Sequence, residues 1–192
     1  MNSIGELDAV RDYPALGITK GTVLRDPKIA SSPADLAAST AMQVRIRDDI
    51  NRTVAMVNRL EIMRKQIEDL LKTNAGKKPA EQALRDLDQK MMNVELQLLS
   101  RTDLHSDDKW YVEAYKVYMN LVWLSGVVGS GAGDVQGGAD FRPTDASLQV
   151  LDMIEKDLAA ATSAFTTLAE KDVPAFNRTF KGSGRITVGA LQ

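Results

Sequence analysis

The sequence contains no cysteine and only one histidine, His105. The absence of cysteine excludes disulfide bonds, thiolate zinc sites and cysteine nucleophiles. A Ser-His-Asp triad would have to use His105, but no serine occupies a G-x-S-x-G elbow. A di-metal site in a helical bundle needs Glu-x-x-His pairs, and no glutamate stands three residues before His105. The sequence therefore predicts no metal site and no enzymatic activity, with His105 in a loop near a helix start.

Aromatic residues are scarce as well, at 5% of a chain that is 44% apolar. A core built from Leu, Ile, Val, Met and Ala favours helices over sheets. Charge of one sign is also lacking, because 24 basic residues stand against 26 acidic ones and the net charge is −2. Nucleic acid is therefore not an expected partner, and the chain as a whole has little attraction to anionic lipid.

Long apolar runs are missing too. No stretch reaches the roughly 18 uninterrupted apolar residues of a membrane span. The nearest, residues 110–128, is interrupted by Glu113, Lys116 and Asn120, and it predicts a buried core helix. The first residues include acidic side chains and no apolar segment of the kind that signal peptides carry.

Glycine is concentrated in "GVVGSGAGDVQGGADFRPTD", residues 126–145. A P-loop requires Lys-Ser/Thr after its glycines, and none follows here. In a dinucleotide fingerprint Asp134 would occupy the place of the third glycine, and the preceding segment is helical in pattern. The stretch therefore predicts a flexible joint between helices, closed by Pro143, and no nucleotide cofactor.

The first half of the chain predicts two helices in an antiparallel hairpin. Ser32 as N-cap and Pro33 at the first helical position open a helix that continues to about Thr73. Pro79 lies in the first turn of the second helix, which extends to about Arg101. The apolar residues of this second helix step by three and four, as in the seam of a bundle: Leu84, Leu87, Met91, Val94 and Leu98. The short joint between the helices favours the hairpin.

The second half predicts another helix pair. The third helix runs from about Ser106 to near Gly126, and its apolar face favours core packing, with a partner-contact patch as the alternative. That face is formed by Trp110, Tyr111, Tyr115, Tyr118, Val122 and Trp123. The fourth helix follows Thr144 and ends near Lys171, with a further turn after Pro174. Its seam consists of Leu151, Ile154, Leu158, Ala161, Phe165 and Leu168.

These elements predict an all-α fold, a four-helix up-down bundle made of a long hairpin plus a second helix pair. A long hairpin with the second pair packed at one end is the alternative. Residues 1–31 are predicted to form an extended N-terminal arm with a short strand at 22–24. The bundle is expected to cover residues 32–180, followed by a C-terminal tail at 181–192.

Two pairs of adjacent carboxylates could suggest acid-base chemistry. Asp48 and Asp49 lie within "RIRDDINR", whose alternating charges indicate a solvated, salt-bridged helix face. Asp107 and Asp108 lie at a predicted helix start, where acidic residues stabilise the helix dipole. Both pairs are interpreted as structural.

Three stretches match a known pattern in order and spacing. They are "VLRDPKIASSPADLAASTAMQVRIRDDINRTVAMVNRLEIMRKQI", "LSGVVGSGAGDVQGGADFRPTDASLQVLDMIEKDL" and "EKDVPAFN". Together they resemble the C-terminal helical region of large bacterial β-propeller proteins of the sialidase/sortilin type. The resemblance implies a helical accessory module. The propeller blades are not part of this sequence, so no catalytic residue carries over.

A free-standing helical bundle with glycine- and proline-containing arms can bridge partners, which favours a structural subunit, extrinsic to a membrane, that bridges or clamps protein subunits of a larger assembly. Such a chain is similar to the extra subunits that clamp a bacterial photosynthetic reaction centre within its light-harvesting ring, and it would itself bind no pigment. The periplasmic face is favoured because the resembled family is mostly exported, and the cytoplasmic face is the alternative. Two other functions remain open: a soluble helical module that binds proteins or peptides, and an accessory chain of a separately encoded β-propeller hydrolase.

The arms are the predicted contact sites, because apolar residues in unstructured arms gain burial only against a partner. The predicted anchors are Tyr13, Leu16, Ile18, Phe176, Phe180, Ile186 and Val188, with Lys181 and Arg185 beside them for an anionic surface.

Overall fold

The computed structural model describes residues 30–100, 113–129 and 141–189, and every regular element within them is helical. The helices are α1 (Pro33–Thr73), α2 (Lys78–Leu98), α3 (Val117–Gly129), α4 (Asp145–Thr167) and α5 (Val173–Thr179). The predicted all-α class is confirmed, with α1 to α4 packed around a shared apolar core. The predicted strand at 22–24, the position of His105 and the glycine-rich stretch at 130–140 lie outside the described residues.

α1 begins and ends where the sequence predicts. The backbone N–H of Asp35 donates to Ser32 Oγ at 3.1 Å, and the backbone N–H of Ser32 donates to Asp35 Oδ2 at 2.8 Å, which closes a reciprocal cap. After the last turn the buried Asn74 follows, and Gly76 reverses the chain with φ +83°. With 41 residues, α1 is about 60 Å long.

α2 returns along the C-terminal half of α1 as the predicted antiparallel hairpin. Arg64 of α1 donates to Asp88 Oδ1 at 2.9 Å and to Glu95 Oε2 at 2.6 Å, two turns apart on α2. The five predicted seam residues of α2 are all buried. The sequence prediction for this hairpin is confirmed.

α4 runs in the same direction as α1. Arg45 of α1 contacts Glu155 at 2.8 Å, and further along both helices the guanidinium of Arg59 lies 4.9 Å from the ring centre of Phe165. Position along α4 therefore rises with position along α1. The predicted seam of α4 faces the core, with Leu151, Leu158 and Ala161 almost fully buried.

α3 lies against the N-terminal half of α1. A Cβ atom at Gly129, the last residue of α3, would lie 3.5 Å from Gln43 Oε1. Gln43 is about 30 Å along α1 from Arg64, beside which α2 packs. α3 also contacts α2. Since the C-terminal end of α3 lies beside Gln43, its N-terminal end must make this contact. α2 and α3 thus follow one another along α1 in the same descending direction. A cross-section through the bundle therefore contains three helices: α1, α4 and either α2 or α3. α1 and α4 run in one direction, and α2 and α3 run in the opposite direction.

The start of α3 differs from the sequence prediction. Residues 113–116 are not helical, and the helix begins at Val117 instead of near Ser106. The side-chain amide of Asn120 donates to the carbonyl of Tyr115 at 3.2 Å, which provides that group with a bond outside the helix.

The predicted break near Lys171 is a widened turn instead. α4 continues through a π-helical turn, Leu168–Asp172, directly into α5. Pro174 has no N–H to donate and its ring would clash with the carbonyl four residues earlier in a regular helix. The N–H of Val173 donates to the carbonyl of Leu168, five residues back, and this wider turn accommodates the proline.

Candidate protein-binding surfaces

The predicted partner anchors fall into two groups. Those of the N-terminal arm lie outside the described residues: Tyr13, Leu16 and Ile18. The others lie on α5, at Phe180 directly after it, and on residues 181–189, which we call the tail segment. Their apolar members pack into the core of the chain itself: Phe176, Phe180, Ile186 and Val188. Lys181 and Arg185 are exposed.

The tail segment does not extend away from the bundle. Ile186 is 2% exposed and Phe180 is 6% exposed, and the rings of Phe176 and Phe180 stack with centroids 4.7 Å apart. The sequence suggested that these side chains need a partner for burial, whereas the helices of the chain provide that burial here.

Three carboxamide side chains hold the backbone of the tail segment, and we call them the amide clamp. Asn74 accepts from Ser183 N–H at 2.8 Å and donates to the Ser183 carbonyl at 3.0 Å. Asn177 does the same to Ile186, at 2.9 and 2.7 Å. Gln66 does the same to Thr187, at 2.8 and 3.0 Å. Each carboxamide thus bonds to both the N–H and the carbonyl of a single residue, as a residue of a neighbouring antiparallel β-strand would.

The amide clamp follows from helix periodicity. Gln66 and Leu70 share one face of α1, Asn74 continues the same spacing of four directly after the helix, and Asn177 reaches the segment from α5. Sequence reasoning missed these residues because carboxamides are common on helices and usually face solvent there. The spacing of Gln66, Leu70 and Asn74 was the available signal.

Two glycines let the tail segment approach this closely. A Cβ at Gly182 would lie 2.6 Å from Asn74 Oδ1 and 2.3 Å from Phe180 Cζ. Gly184 has φ +95°, and its Cβ would lie 2.2 Å from Leu70 Cδ2. Both positions therefore require glycine, one for space and the other for backbone conformation as well.

A second surface lies on α3 and is defined by Val122, Trp123 and Val127, which we call the α3 face. These side chains are 38%, 59% and 47% exposed. The ring of Tyr115 stacks on Trp123 with centroids 6.4 Å apart and an interplanar angle of 20°. The prediction that the segment up to residue 128 is a buried core helix is therefore wrong for this side of α3. A bundle three helices wide covers only one side of α3, and the opposite side stays exposed.

The interface of α1 with α4 contains a buried carboxyl group. Asp49 is 5% exposed, its Oδ2 has no hydrogen-bond donor, and its Oδ1 lies 3.6 Å from Arg52 Nη1. Burial raises the pKa of Asp49, Arg52 and Arg45 oppose that shift, and the nearby carboxylate of Glu155 adds to it. Glu155 accepts from Arg45, so a proton on Asp49 would provide the missing donor between the two carboxyl groups.

The Asp49→Asn variant is expected to be more stable than the wild type near neutral pH, by about 1–2 kcal/mol, because an amide places no unpaired anionic oxygen at the buried site. The folded chain binds the Asp49 proton more tightly than the unfolded chain, so wild-type stability falls as pH rises above the usual aspartyl pKa of about 3.9. The gain should shrink as pH falls towards that value. Urea unfolding over a pH series measures it.

The neighbouring residue provides a matched control. Asp48 is 51% exposed and pairs with Arg47, so Asp48→Asn should change stability by less than about 0.5 kcal/mol at every pH. A destabilising Asp49→Asn, or an equal gain in both variants, would contradict the account of the buried carboxyl.

None of the described helices combines the length and apolar character that crossing a bilayer requires. The described ranges also hold no cluster of three or more histidine, cysteine, aspartate or glutamate side chains suited to a metal ion. Comparison of the chain with protein-family models, with curated proteins and with solved structures finds no match. The fold therefore defines the chain as an all-α helical bundle protein, and its function is inferred from its surfaces.

Proposed function

We propose that this chain is a non-catalytic accessory subunit that binds another protein subunit through the α3 face. The observation that carries the proposal is an exposed tryptophan flanked by exposed valines on a helix without a charged residue: Val122, Trp123 and Val127 within Val117–Gly129. Contiguous exposed apolar side chains often mark interaction surfaces, whereas single apolar side chains scattered over a surface do not. Tryptophan is also among the residues that contribute most to protein interfaces.

The expected occupant is an apolar, uncharged surface of a protein partner. A charged partner surface would be desolvated against α3 without a counter-charge, and that arrangement is unfavourable. The stacked Tyr115 ring restricts Trp123, so less side-chain entropy is lost when a partner covers it.

The proposed setting is a larger membrane-associated assembly, with the chain extrinsic to the bilayer. This part rests on the resemblance of the sequence to the helical region of sialidase/sortilin-type proteins and on its likeness to clamping subunits of a photosynthetic reaction centre and its light-harvesting ring. The periplasmic side is favoured on the same ground. A soluble module that binds peptides is the second candidate, and the amide clamp favours it, because this site already holds a non-helical segment by its backbone groups.

Photo-crosslinking tests the proposal directly. A photoreactive amino acid is placed at Val127, and the chain is expressed in its native cells and irradiated. We expect one major crosslinked protein, identified by mass spectrometry of the adduct. The same probe at Gln82, an exposed residue on α2, is the matched control and should give no such product.

Each alternative occupant gives a different product. Crosslinks between two copies of this chain would make the α3 face a dimer interface. Crosslinks to lipid would assign it to a membrane surface. Either product, or equal products from Val127 and Gln82, would contradict a separate protein partner.

A further inference from the structure

An open groove of about 480 Å³ lies between α1 and α4, and none of its lining residues belongs to α3. Arg52 of α1 forms one wall, and α4 with the π-helical turn that follows it forms the other. Ala159 is the apolar member of the lining. The α4 wall combines hydroxyl groups with charges of both signs: Ser163, Thr166, Thr167, Glu170 and Lys171. The groove therefore fits a polar ligand better than an apolar one.

The hydroxyl groups of the α4 wall include three donors that the chain does not use. Thr162, which also lines the groove, donates to the carbonyl of Leu158 at 2.7 Å, as threonines within helices often do. Ser163, Thr166 and Thr167 make no such bond within the described part of the chain. Their hydroxyls are therefore available to donate to a ligand in the groove.

Two arginines on the α1 side lack a close carboxylate partner. The ion pair of Arg52 is a 3.6 Å contact with Asp49, and 57% of the Arg52 side chain is exposed. Arg59 is seven residues further along α1 and shares its face. Its guanidinium lies 4.9 Å from the ring centre of Phe165, and its buried Nε has no acceptor among the described residues. The positive charge of Arg59 therefore adds to that of Arg52 beside the groove.

The far end of the groove adds one more charge of each sign. Lys171 and Glu170 lie in the π-helical turn, a type of turn that is frequent at functional sites. Guanidinium and ammonium groups bind phosphate through charge-assisted hydrogen bonds. A carboxylate repels phosphate but accepts hydrogen bonds from ligand hydroxyls. The lining therefore matches a phosphate ester that carries hydroxyl groups.

We propose that this groove binds the phosphate group of a small, hydroxylated phosphate ester. Arg52 and Lys171 contact the phosphate, and the unused hydroxyls of the α4 wall donate to its oxygens. Glu170 accepts from the hydroxyls of the ester. The same chemistry is found in soluble phosphate esters and in the headgroups of glycerophospholipids, and the experiment distinguishes these two sources.

The test titrates glycerol phosphate into the full-length chain and follows the arginine Nε–Hε signals by NMR. We expect a saturable shift at Arg52 and a smaller one at Arg59, which sodium chloride at the same ionic strength does not produce. Arg52→Gln should weaken binding by about 10-fold, because it removes charge-assisted bonds to the phosphate. Arg85→Gln, at an exposed position on α2, is the matched control and should bind as the wild type does.

The hydroxyl contribution is tested by Thr166→Val, which keeps the shape of the side chain and removes its donor. This variant should bind glycerol phosphate about 5-fold more weakly than the wild type. Equal weakening by Arg52→Gln and Arg85→Gln, or the same shifts with chloride, would reduce the effect to general charge screening and overturn the proposal. A folded wild-type chain that shows no saturable shift would overturn it as well.

Vesicles distinguish the two sources of the ester. Retention of the wild type on phosphatidylglycerol vesicles, lost in Arg52→Gln and competed by glycerol phosphate, would identify the ligand as a lipid headgroup. Binding of glycerol phosphate without retention on vesicles would identify a soluble ester. Retention that is unchanged in Arg52→Gln would place the lipid contact elsewhere on the chain and contradict a headgroup in this groove.

Discussion

Replacing Asn74 by alanine is expected to destabilise the chain by about 2–4 kcal/mol, because the substitution removes three hydrogen bonds that this side chain makes to part-buried backbone groups. Asn74 is fully buried and bonds to both backbone groups of Ser183 and to the carbonyl of Leu70. Alanine would also leave a small cavity between the end of α1 and the tail segment. Urea unfolding followed by circular dichroism measures the loss.

An exposed asparagine provides the comparison. Asn93 on α2 accepts one hydrogen bond from Gln89 at the surface, so Asn93→Ala should cost less than about 0.5 kcal/mol. In Asn74→Ala the amides of Ser183, Ile186 and Thr187 should lose exchange protection together. Unchanged protection, or equal losses of stability in the two variants, would mean that the amide clamp does not hold the tail segment.

Replacing Trp123 by glutamate should abolish partner binding with little effect on folding. Buried tryptophans at interfaces typically contribute at least 2 kcal/mol, which corresponds to a loss of about 30-fold in affinity or more. Trp123 is 59% exposed in the isolated chain, so its replacement should change stability by no more than about 0.5 kcal/mol. The readout is recovery of the crosslinked or co-purified partner from native cells, beside the melting curve of the purified variant.

The matched control is Ile62 on α1. It is 53% exposed and lies apart from the α3 face in the sequence and on another helix. Ile62→Glu should leave partner recovery unchanged. If both variants lose the partner, general surface polarity rather than the α3 face decides binding. If both variants keep the partner, the α3 face is not the contact surface.

The hairpin of α1 and α2 could be predicted because its signals are local. The Ser32 cap with Pro33, the proline in the first turn of α2 and the three-four spacing of its seam each depend on residues close in sequence. The direction of α4 relative to α1 could not be predicted in this way. It depends on where along α1 the preceding helix α3 ends, which is beside Gln43. No local sequence pattern determines that position.

The surfaces were harder to predict than the helices. An apolar side chain such as Trp123 has the same pattern whether it faces a core or a partner, and only the number of neighbouring helices decides between them. The tail segment presents the converse case. Ile186 was recognised as an anchor, but the segment that carries it is held by Gln66 and Asn74, more than a hundred positions away, and composition does not reveal such contacts.

The size of the native particle that contains this chain tests the central proposal most directly. Native membranes are extracted in mild detergent and fractionated by size, and each fraction is quantified by mass spectrometry. We predict that the chain migrates with the subunits of a larger complex in a fixed ratio, and that Trp123→Glu releases it. Migration of the wild-type chain alone, near its own mass of 21.0 kDa in the soluble fraction, would contradict an accessory-subunit function.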